Sequence, residues 1–320
     1  MPRTPSPLPL APPFSVTAAR AAGVTVRRLR AGDLAAPFTG VRTAVDGVGS
    51  ADGRPLAFDR AEQARVRRLA EAYARVMPTG AFFCGRTAAV LHGGPVPAGA
   101  DLEVGVLAPE RAVRRRGIRG RKLAANLVDL TVVDGLSVTS PASTWAMLGA
   151  ELSVRALVRL GDAFVRIPRD DHGHPRPEAQ LCTPESLRDA AAAGRRVGIA
   201  RLMRALELIR VGSMSPLETD ARLDLCAGGL PEPVLDAQIV DAHGIRIAIA
   251  DAAYPAYRVV VEIEGDHHRT DRAQWTRDID RQADLAAAGW EVVRLTAAHI
   301  RGGRAAPRVR AALQRHGWPH

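Results

Sequence analysis

The sequence predicts a multidomain protein of mixed α/β (α+β) class, on three grounds. The chain has 320 residues, enough for two or three domains that each bury a core. Helical and strand-like patterns alternate along it, as they do where helices pack against sheets. A segment rich in Pro, Arg and Asp and without any period, residues 166–184, interrupts these patterns. We therefore predict domains at 14–48, 55–165 and 185–318, with 166–184 as a linker.

The charge of the chain indicates a polyanionic partner. The formal net charge is +10 and the isoelectric point is 10.8, which favours nucleic acid, DNA first, over an anionic membrane. Lys122 is the single lysine, in a chain that is also rich in Ala, Gly and Pro. Because this bias is typical of a GC-rich genome, part of the arginine content can be mutational in origin.

The composition argues against several other classes of protein. Cys84, Cys182 and Cys226 lie far apart without a CxxC pair, which disfavours a disulfide framework and a cysteine-based zinc site. No stretch approaches the roughly 18 apolar residues of a membrane span. The proline-rich start lacks the apolar core of a signal peptide. We expect a soluble, cytoplasmic protein without a membrane partner.

The first predicted domain has the pattern of a small winged helix-turn-helix. Thr17 can cap a short helix over 18–22, and Gly23 supplies its turn. Thr25 can cap a second, basic helix, and the extended piece FTGVRTA follows. In such a domain the second helix enters the major groove; the alternative is an amphipathic helix pair with solvated arginines. The candidate DNA-binding residues are Thr25, Arg27, Arg28, Arg30 and Arg42.

The middle domain is predicted as an α/β domain. The helix RAEQARVRRLAEAYARV and the segment AFFCGRTAAVLHG precede the strand-like stretches LEVGVLAP and LVDLTVVDGLSVTS. Between these two stretches, residues 110–122 form a cationic cluster that contains Arg114, Arg115 and Arg116. This cluster would either bind phosphates or form a solvated loop. His92 precedes a Gly/Pro turn, and we expect a structural role for it.

The third domain is predicted as a sheet flanked by helices. A long helix over 185–210 and the helix SPLETDARLDLCAGG precede the strands VLDAQIVD, GIRIAIADAAYP and YRVVVEIEG. A helix, the strand WEVVRLT and a closing helix over 305–315 complete it. The order α-β-β-β-α-β places a helical crossover between the last two strands.

Carboxylates follow two of these apolar strands. Asp251 is expected to end IRIAIAD and Glu262 to end the neighbouring strand RVVVE, so that both meet at one location. Alternation along the strand puts Glu264 on the same face as Glu262. Three carboxylates on adjacent strands can hold a metal ion and position a water for attack on a phosphodiester. Mg²⁺ or Mn²⁺ is the expected cofactor.

This arrangement, followed by RDIDRQADLAAAGWEVVRLT, resembles the PD-(D/E)XK nuclease superfamily, and within it the domains related to very-short-patch repair (Vsr) endonucleases. The resemblance covers about 185–310 and implies a restriction-endonuclease-like mixed sheet flanked by helices. It implies Asp251 and Glu262 as metal ligands, Glu218 as a helix acid that adds to the same metal site, and Glu264 where the family has a lysine. Further residues with implied roles are His268, an acid–base or phosphate group, and Arg281, which faces the site or a phosphate.

Glu218 has a second interpretation that rests on the sequence alone. In S-P-L-E, Ser215 is a natural N-cap, Pro216 occupies the first helical position and Glu218 the third. This is a capping box with the proline preference of helix starts.

The front of the chain, with FFCGRTAAVLHGGPVP and VTSPASTWAML, is similar to the AbiEi-type antitoxin and regulator family. Together the two resemblances imply a Mg²⁺-dependent DNA endonuclease with an N-terminal DNA-binding region. The alternatives are a non-catalytic DNA-binding regulator that keeps the nuclease fold for binding or homodimerisation, and an antitoxin with a toxin protein as partner.

Overall fold

The computed structural model describes residues 7–45, 58–241, 243–264 and 272–319. Its contacts divide the chain into two compact units. The first comprises Met1–Glu151 and Asp189–Ile199, and the second Leu152–Arg188 and Ala200–His320. The segment 166–184, predicted as a linker, lies inside the second unit. Both units combine helices with sheets, so the predicted mixed class is confirmed at that level.

The first unit begins with a small antiparallel sheet and two short helices. Its elements are β1 (Phe14–Ser15), α1 (Val16–Ala21), α2 (Val26–Leu29), β2 (Leu34–Ala35) and β3 (Val41–Ala44), with sheet order β1-β3-β2.

The caps of these two helices follow the sequence only in part. Thr25 caps α2 as predicted, since its Oγ1 accepts from the backbone N–H of Arg28 at 3.2 Å. The prediction of Thr17 as the cap of α1 is wrong, because Ser15 accepts from the backbone N–H of Ala18 at 3.0 Å and the helix begins earlier. Gly23 forms the turn between the helices at a φ of +80°, a conformation that glycine adopts without steric cost.

The rest of the first unit is built on a six-stranded mixed sheet of order β6-β7-β5-β4-β9-β8. Its elements are α3 (Phe58–Ala74), β4 (Phe82–Phe83), α4 (Gly85–Leu91), β5 (Leu102–Leu107), β6 (Arg114–Arg115), β7 (Ile118–Leu123), β8 (Leu130–Val133), β9 (Leu136–Thr139) and α5 (Pro141–Met147). The pairs β5/β7 and β4/β9 are parallel, and the others are antiparallel.

The cationic segment 110–122 is not a loop throughout. Residues 114–115 and 118–123 form the hairpin β6–β7, and Arg115 is paired with Ile118 across its turn. Gly117, at a φ of +79°, allows this tight turn. The sequence did not reveal the strands because arginine and glycine occupy the positions where an apolar alternation would show.

The second unit contains the helices and strands that the sequence places in the third domain. Its elements are α6 (Val154–Val165), α7 (Pro184–Ala192, of which the last four residues belong to the first unit), α8 (Ile199–Leu208), α9 (Pro216–Ala227), β10 (Val234–Val240), β11 (Arg246–Tyr254), β12 (Val259–Glu264), α10 (Arg272–Ala287), β13 (Glu291–Thr296), α11 (Ala297–Arg301) and α12 (Ala305–Arg315). The single helix predicted over 185–210 is therefore wrong. It is interrupted between α7 and α8, where Gly198 adopts a φ of +85°.

The four-stranded sheet has the order β10-β11-β12-β13, antiparallel except for the parallel pair β12/β13. Helix α10 makes the crossover between the two parallel strands, as predicted. Helices α9, α11 and α12 pack on one face, where Val259, Val261 and Leu295 are buried. On the other face Leu285 of α10 packs against Val260. The sheet is thus covered by helices on both faces.

An ion pair between Asp162 of α6 and Arg222 of α9 is buried within the second unit. The side chains are 1% and 2% exposed and lie 3.0 Å apart. Asp162 also accepts from the backbone N–H of Arg210 at 2.8 Å and from Thr219 Oγ1 at 2.9 Å. Arg222 donates to the carbonyl of Leu208 at 2.7 Å. These bonds join α6, the end of α8 and α9 into one network.

No helix in the described part of the chain combines the length and apolar character that a membrane span requires.

We predict that Asp162→Asn destabilises the second unit strongly. The change removes the buried carboxylate partner of Arg222 and leaves it only Glu232, which lies 3.2 Å away and is 40% exposed; loss of a buried partner costs about 3–5 kcal/mol. Urea unfolding followed by circular dichroism measures the loss. Glu207→Gln is the matched control, because the Arg204–Glu207 pair is more than half exposed and its loss costs at most about 1 kcal/mol. Equal small losses in the two variants would contradict the assigned role of the network.

Candidate active site

The hairpin of β11 and β12 brings Asp251 and Glu262 onto neighbouring strands. Ala252 pairs with Val261, and the backbone N–H of Ile263 donates to Asp251 Oδ2 at 2.7 Å. The prediction that the strands end at these two acids is wrong. Strand β11 continues to Tyr254 and β12 to Glu264, because the apolar residues after Asp251 also pair with β12. Both acids therefore lie within strands, side by side.

The environment of Asp251 works against its charged form. Burial raises the pKa of its carboxyl group. The hydrogen bond from Ile263 and the positive charge of Arg281 act in the opposite direction, and the charge of Asp236 raises the pKa further. Asp251 is thus a partly desolvated carboxyl group with a negative neighbour.

Glu218 is both the cap of α9 and an acid close to Asp251, the two roles that the sequence left open. Its backbone N–H donates to Ser215 Oγ at 3.2 Å, and its Oε2 accepts from the backbone N–H of Met214 at 2.7 Å. It therefore caps α9, although it reaches one residue further than the usual capping box. The residue is 8% exposed, and its pKa is raised to about 7, first by burial and then by the charge of Asp251. The helix cap thus faces the strand acids.

Asp236 is an acid of this region that the sequence analysis did not single out. It lies in β10 between the pairs Leu235↔Ala252 and Ala237↔Ala250, at a φ of +48°. A left-handed conformation within a strand is strained for a residue with a side chain. The charge of Asp236 raises the pKa of both Glu218 and Asp251.

Arg169 holds the Asp236 side chain in place. Its Nε lies 2.8 Å from Oδ1 and its Nη2 lies 2.7 Å from Oδ2. The only sequence signal for Asp236 was an acid inside the apolar pattern VLDAQIV. The partner arginine lies in the segment predicted as a linker, so local patterns did not connect the two.

Arginines lie against the two acids of β12. Arg281 of α10 donates from Nη2 to Glu262 Oε2 at 2.8 Å. On β13, Arg294 is in register with Glu262, and its Nη1 lies 3.6 Å from Glu264 Oε1. The structure therefore brings Arg281 beside the strand acids and adds Arg294 near the position where the resembled family has a lysine.

The described groups set limits on a metal site. Within the described ranges, no three His, Cys, Asp or Glu side chains are grouped as a metal ion would require. His268 belongs to residues 265–271 and lies outside the described residues. The described donors available for a cation are thus the two carboxylates of Asp251 and Glu262, and not a complete set of protein ligands.

The basic residues predicted to bind DNA through α2 have mixed surroundings. Arg28 forms a two-point pair with Asp33, at 2.8 and 2.7 Å. Arg42 donates to the carbonyls of Leu29 and Val41 at 2.7 and 2.8 Å. Arg27 and Arg30 are exposed. Helix α2 has four residues, little more than one turn, so its surface for a major groove is short.

In the hairpin β6–β7, Arg114 and Arg116 are exposed, whereas Arg115 has a structural role. Its Nη2 donates to the carbonyl of Thr39 at 2.9 Å, and its guanidinium lies 5.9 Å from the ring centroid of Tyr73. This cation–π geometry anchors the hairpin.

His92 has the structural role expected of it. Its Nε2 lies 2.8 Å from the carbonyl oxygen of Thr139, and burial lowers its pKa.

Comparison of the chain with protein-family models gives no match, and comparison with the curated proteins gives no match. The nuclease-like and antitoxin-like resemblances therefore remain predictions.

We predict that Glu218→Gln stabilises the protein in a pH-dependent way. Because the pKa of Glu218 rises from 4.5 to about 7 on folding, the wild type loses stability as the pH increases through this window. Gln keeps an acceptor for Met214 and removes the charge. At pH 8 the variant should gain on the order of 1–3 kcal/mol over the wild type, and at pH 4.5 almost nothing.

Urea unfolding at a series of pH values measures this difference. Glu207→Gln, the same change at a side chain that is 61% exposed, should not reproduce the gain. If Glu218→Gln instead lowers the free energy of unfolding by the same amount at every pH, the lost cap contact explains the change and the raised pKa does not.

Proposed function

We propose that the protein is a metal-dependent phosphodiester hydrolase that cuts DNA, with Asp251 and Glu262 as metal ligands. One observation carries the proposal. The carboxyl groups of Asp251 and Glu262 lie on adjacent strands, and the negative charge of Asp251 raises the pKa of the buried Glu218. Buried carboxyl groups that repel one another are typical of functional sites. The finer architecture that we propose is a nuclease-like sheet in the second unit and a winged helix-turn-helix at 14–45.

The donor set fits Mg²⁺ or Mn²⁺. Such ions take one or two carboxylates and complete their shell with water and substrate phosphate, so the described pair suffices. A cation would offset the repulsion among Glu218, Asp236 and Asp251. When bound, it would lower the pKa of a coordinated water and stabilise charge on the phosphate.

The residues around the proposed ligands hold them in position. The N–H of Ile263 orients Asp251, and Arg281 orients Glu262. Glu264 is proposed to orient or deprotonate the attacking water, with His268 as its partner. Arg294 supplies a positive charge near Glu264, where the resembled family has a lysine. Glu218, whose pKa is about 7, is suited to exchange a proton near neutral pH.

DNA as the substrate rests on charge and exposure. The chain carries a net charge of +10, and Arg27, Arg30, Arg114 and Arg116 are exposed on the first unit. Exposed arginines contact phosphates without regard to sequence, so these side chains would hold the backbone of the substrate.

A non-catalytic DNA-binding regulator or antitoxin is the second candidate. The ion pairs Glu262–Arg281 and Glu264–Arg294 favour it, because acids neutralised by arginine serve structure as well as chemistry. In that case the sheet would be a platform for DNA, a toxin protein or a second copy of the chain.

Plasmid cleavage separates the two candidates. We expect the wild type to nick or linearise supercoiled plasmid with Mg²⁺ or Mn²⁺ and not with EDTA. Asp251→Ala and Glu262→Ala should each reduce the rate at least about 100-fold, while duplex binding in EDTA is retained. Glu207→Gln, which removes an exposed carboxylate on α8, is the matched control and should cut like the wild type.

Two results would contradict the proposal in different ways. Plasmid that stays supercoiled under every metal condition, with duplex binding intact, would support the regulator. Cleavage that survives both alanine substitutions would show that the site lies elsewhere.

A further inference from the structure

The hairpin β6–β7 of the first unit borders a pocket with a purely cationic set of charged residues. Arg111, Ala112, Arg114 and Lys122 line a volume of about 480 Å³. Among the described residues the lining contains no acid, and none of the three cations forms an ion pair there. A volume of this size, within the roughly 300–1,000 Å³ of small-molecule sites, accommodates a phosphate with an adjoining sugar.

A glycine allows the chain to build this pocket. The backbone of Val113 lies so close to β7 that a Cβ at Gly120 would be 2.0 Å from the Val113 carbonyl oxygen. No other residue permits this approach without displacing backbone. The approach carries segment 111–114 over β7 and brings Arg111 and Arg114 to Lys122. The backbone contact between Gly120 and Val113 therefore helps to shape the pocket that these exposed side chains line.

The other arginines of the same hairpin are engaged elsewhere. Arg121 Nη2 lies 2.6 Å from Glu103 Oε2 and also pairs with Glu151. Arg119 lies 3.9 Å from Glu103 and 3.7 Å from Glu151. Arg115 contacts Thr39 and Tyr73 as described above. Within segment 111–122, which is described throughout, only Arg111, Arg114 and Arg116 are arginines that remain exposed without an acidic partner in the described ranges.

The lysine distinguishes this pocket from the general arginine surface. Lys122 is the one lysine among 44 Lys and Arg residues, so arginine bias in the genome does not account for it. An ammonium group is a compact charge with three rotatable donors that adapts to a phosphate oxygen from any side. Two guanidinium groups beside it supply planar donors to the remaining oxygens.

We infer that this pocket binds a phosphate of the duplex DNA backbone and anchors nucleic acid on the first unit. This anchor rests on the DNA partner of the proposed function and shares Arg114 with its phosphate contacts, but it uses none of the proposed metal-site residues and does not require cleavage. The phosphate contact then lies on the cationic segment 110–122, for which the sequence leaves phosphate binding and a solvated loop as alternatives. A free phosphate or a nucleotide offers the same chemistry, and the experiment separates these sources.

The single lysine makes a direct footprint feasible. Full-length protein in EDTA is treated with a water-soluble acetylating ester, and acetylation of Lys122 is followed by peptide mass spectrometry. An added lysine peptide reports reagent consumption. Saturating duplex DNA should slow acetylation of Lys122 about tenfold, in line with the loss of ammonium access at a phosphate contact. Inorganic phosphate or a mononucleotide, at an equal concentration of phosphate groups, should leave the rate nearly unchanged.

Binding by variants provides the second readout. Lys122→Gln and Arg114→Gln should each weaken duplex binding and lower the salt dependence of log K by about 1. Arg204→Gln, an arginine on α8 whose side chain is 64% exposed, should change neither quantity. Circular dichroism melting verifies that each variant is folded.

Several outcomes overturn the inference. Acetylation of Lys122 that saturating DNA does not slow, or an unchanged salt slope in Lys122→Gln, would remove the pocket from the DNA interface. Equal protection by phosphate or a mononucleotide would make it a small-anion site. Since both readouts are taken in EDTA, a failure of cleavage at Asp251 and Glu262 would leave them unaffected.

Discussion

The buried ion pair between Asp162 and Arg222 is the interaction on which the second unit depends. A buried pair adds little net stability, because desolvation offsets much of the attraction, but loss of either partner is costly. The main effect of the ion pair here is to position helix α9. The pair ties α9 to α6 and to the end of α8, and so fixes the position of α9 within the unit. The first turn of α9 carries Glu218, so the network also determines how near this carboxyl group lies to the sheet.

The carboxyl groups of Glu218 and Asp251 lower the stability of the second unit at neutral pH, and acids with such raised pKa values are typical of functional sites. Glu218 and Asp251 both have raised pKa values, and Asp236, in a strained conformation, adds a further negative charge. Arg169 partly offsets this charge through its pair with Asp236. On β12 the charge of Glu262 is neutralised by Arg281. The site therefore has one side with excess negative charge, around Asp251, and one side that is already balanced. A cation held between Asp251 and Glu262 would offset the excess negative charge on the Asp251 side.

Regular elements were predictable where one period dominated. The strands β10 to β13 follow their apolar runs, and the closing helix was predicted at the bounds it has. Strands β11 and β12 continue beyond Asp251 and Glu262, because backbone pairing does not stop at a charged residue, and a residue pattern does not show this. The pair of Arg169 and Asp236 is separated by 67 positions, and no local pattern reports such a contact. The pocket at Lys122 depends on the contact of Gly120 with Val113, which is likewise invisible in residue spacing.

Titration with Mn²⁺ decides whether Asp251 and its neighbours bind a divalent cation. Free Mn²⁺ is measured by electron paramagnetic resonance, without DNA and at pH 8, where Glu218, with its pKa of about 7, is ionised. We predict about one bound ion per chain in the wild type and in Glu207→Gln, with affinity at least about 100-fold weaker in Asp251→Asn. A wild type that binds no Mn²⁺, or an Asp251→Asn variant that binds it as tightly as the wild type, would rule out a cation site at Asp251.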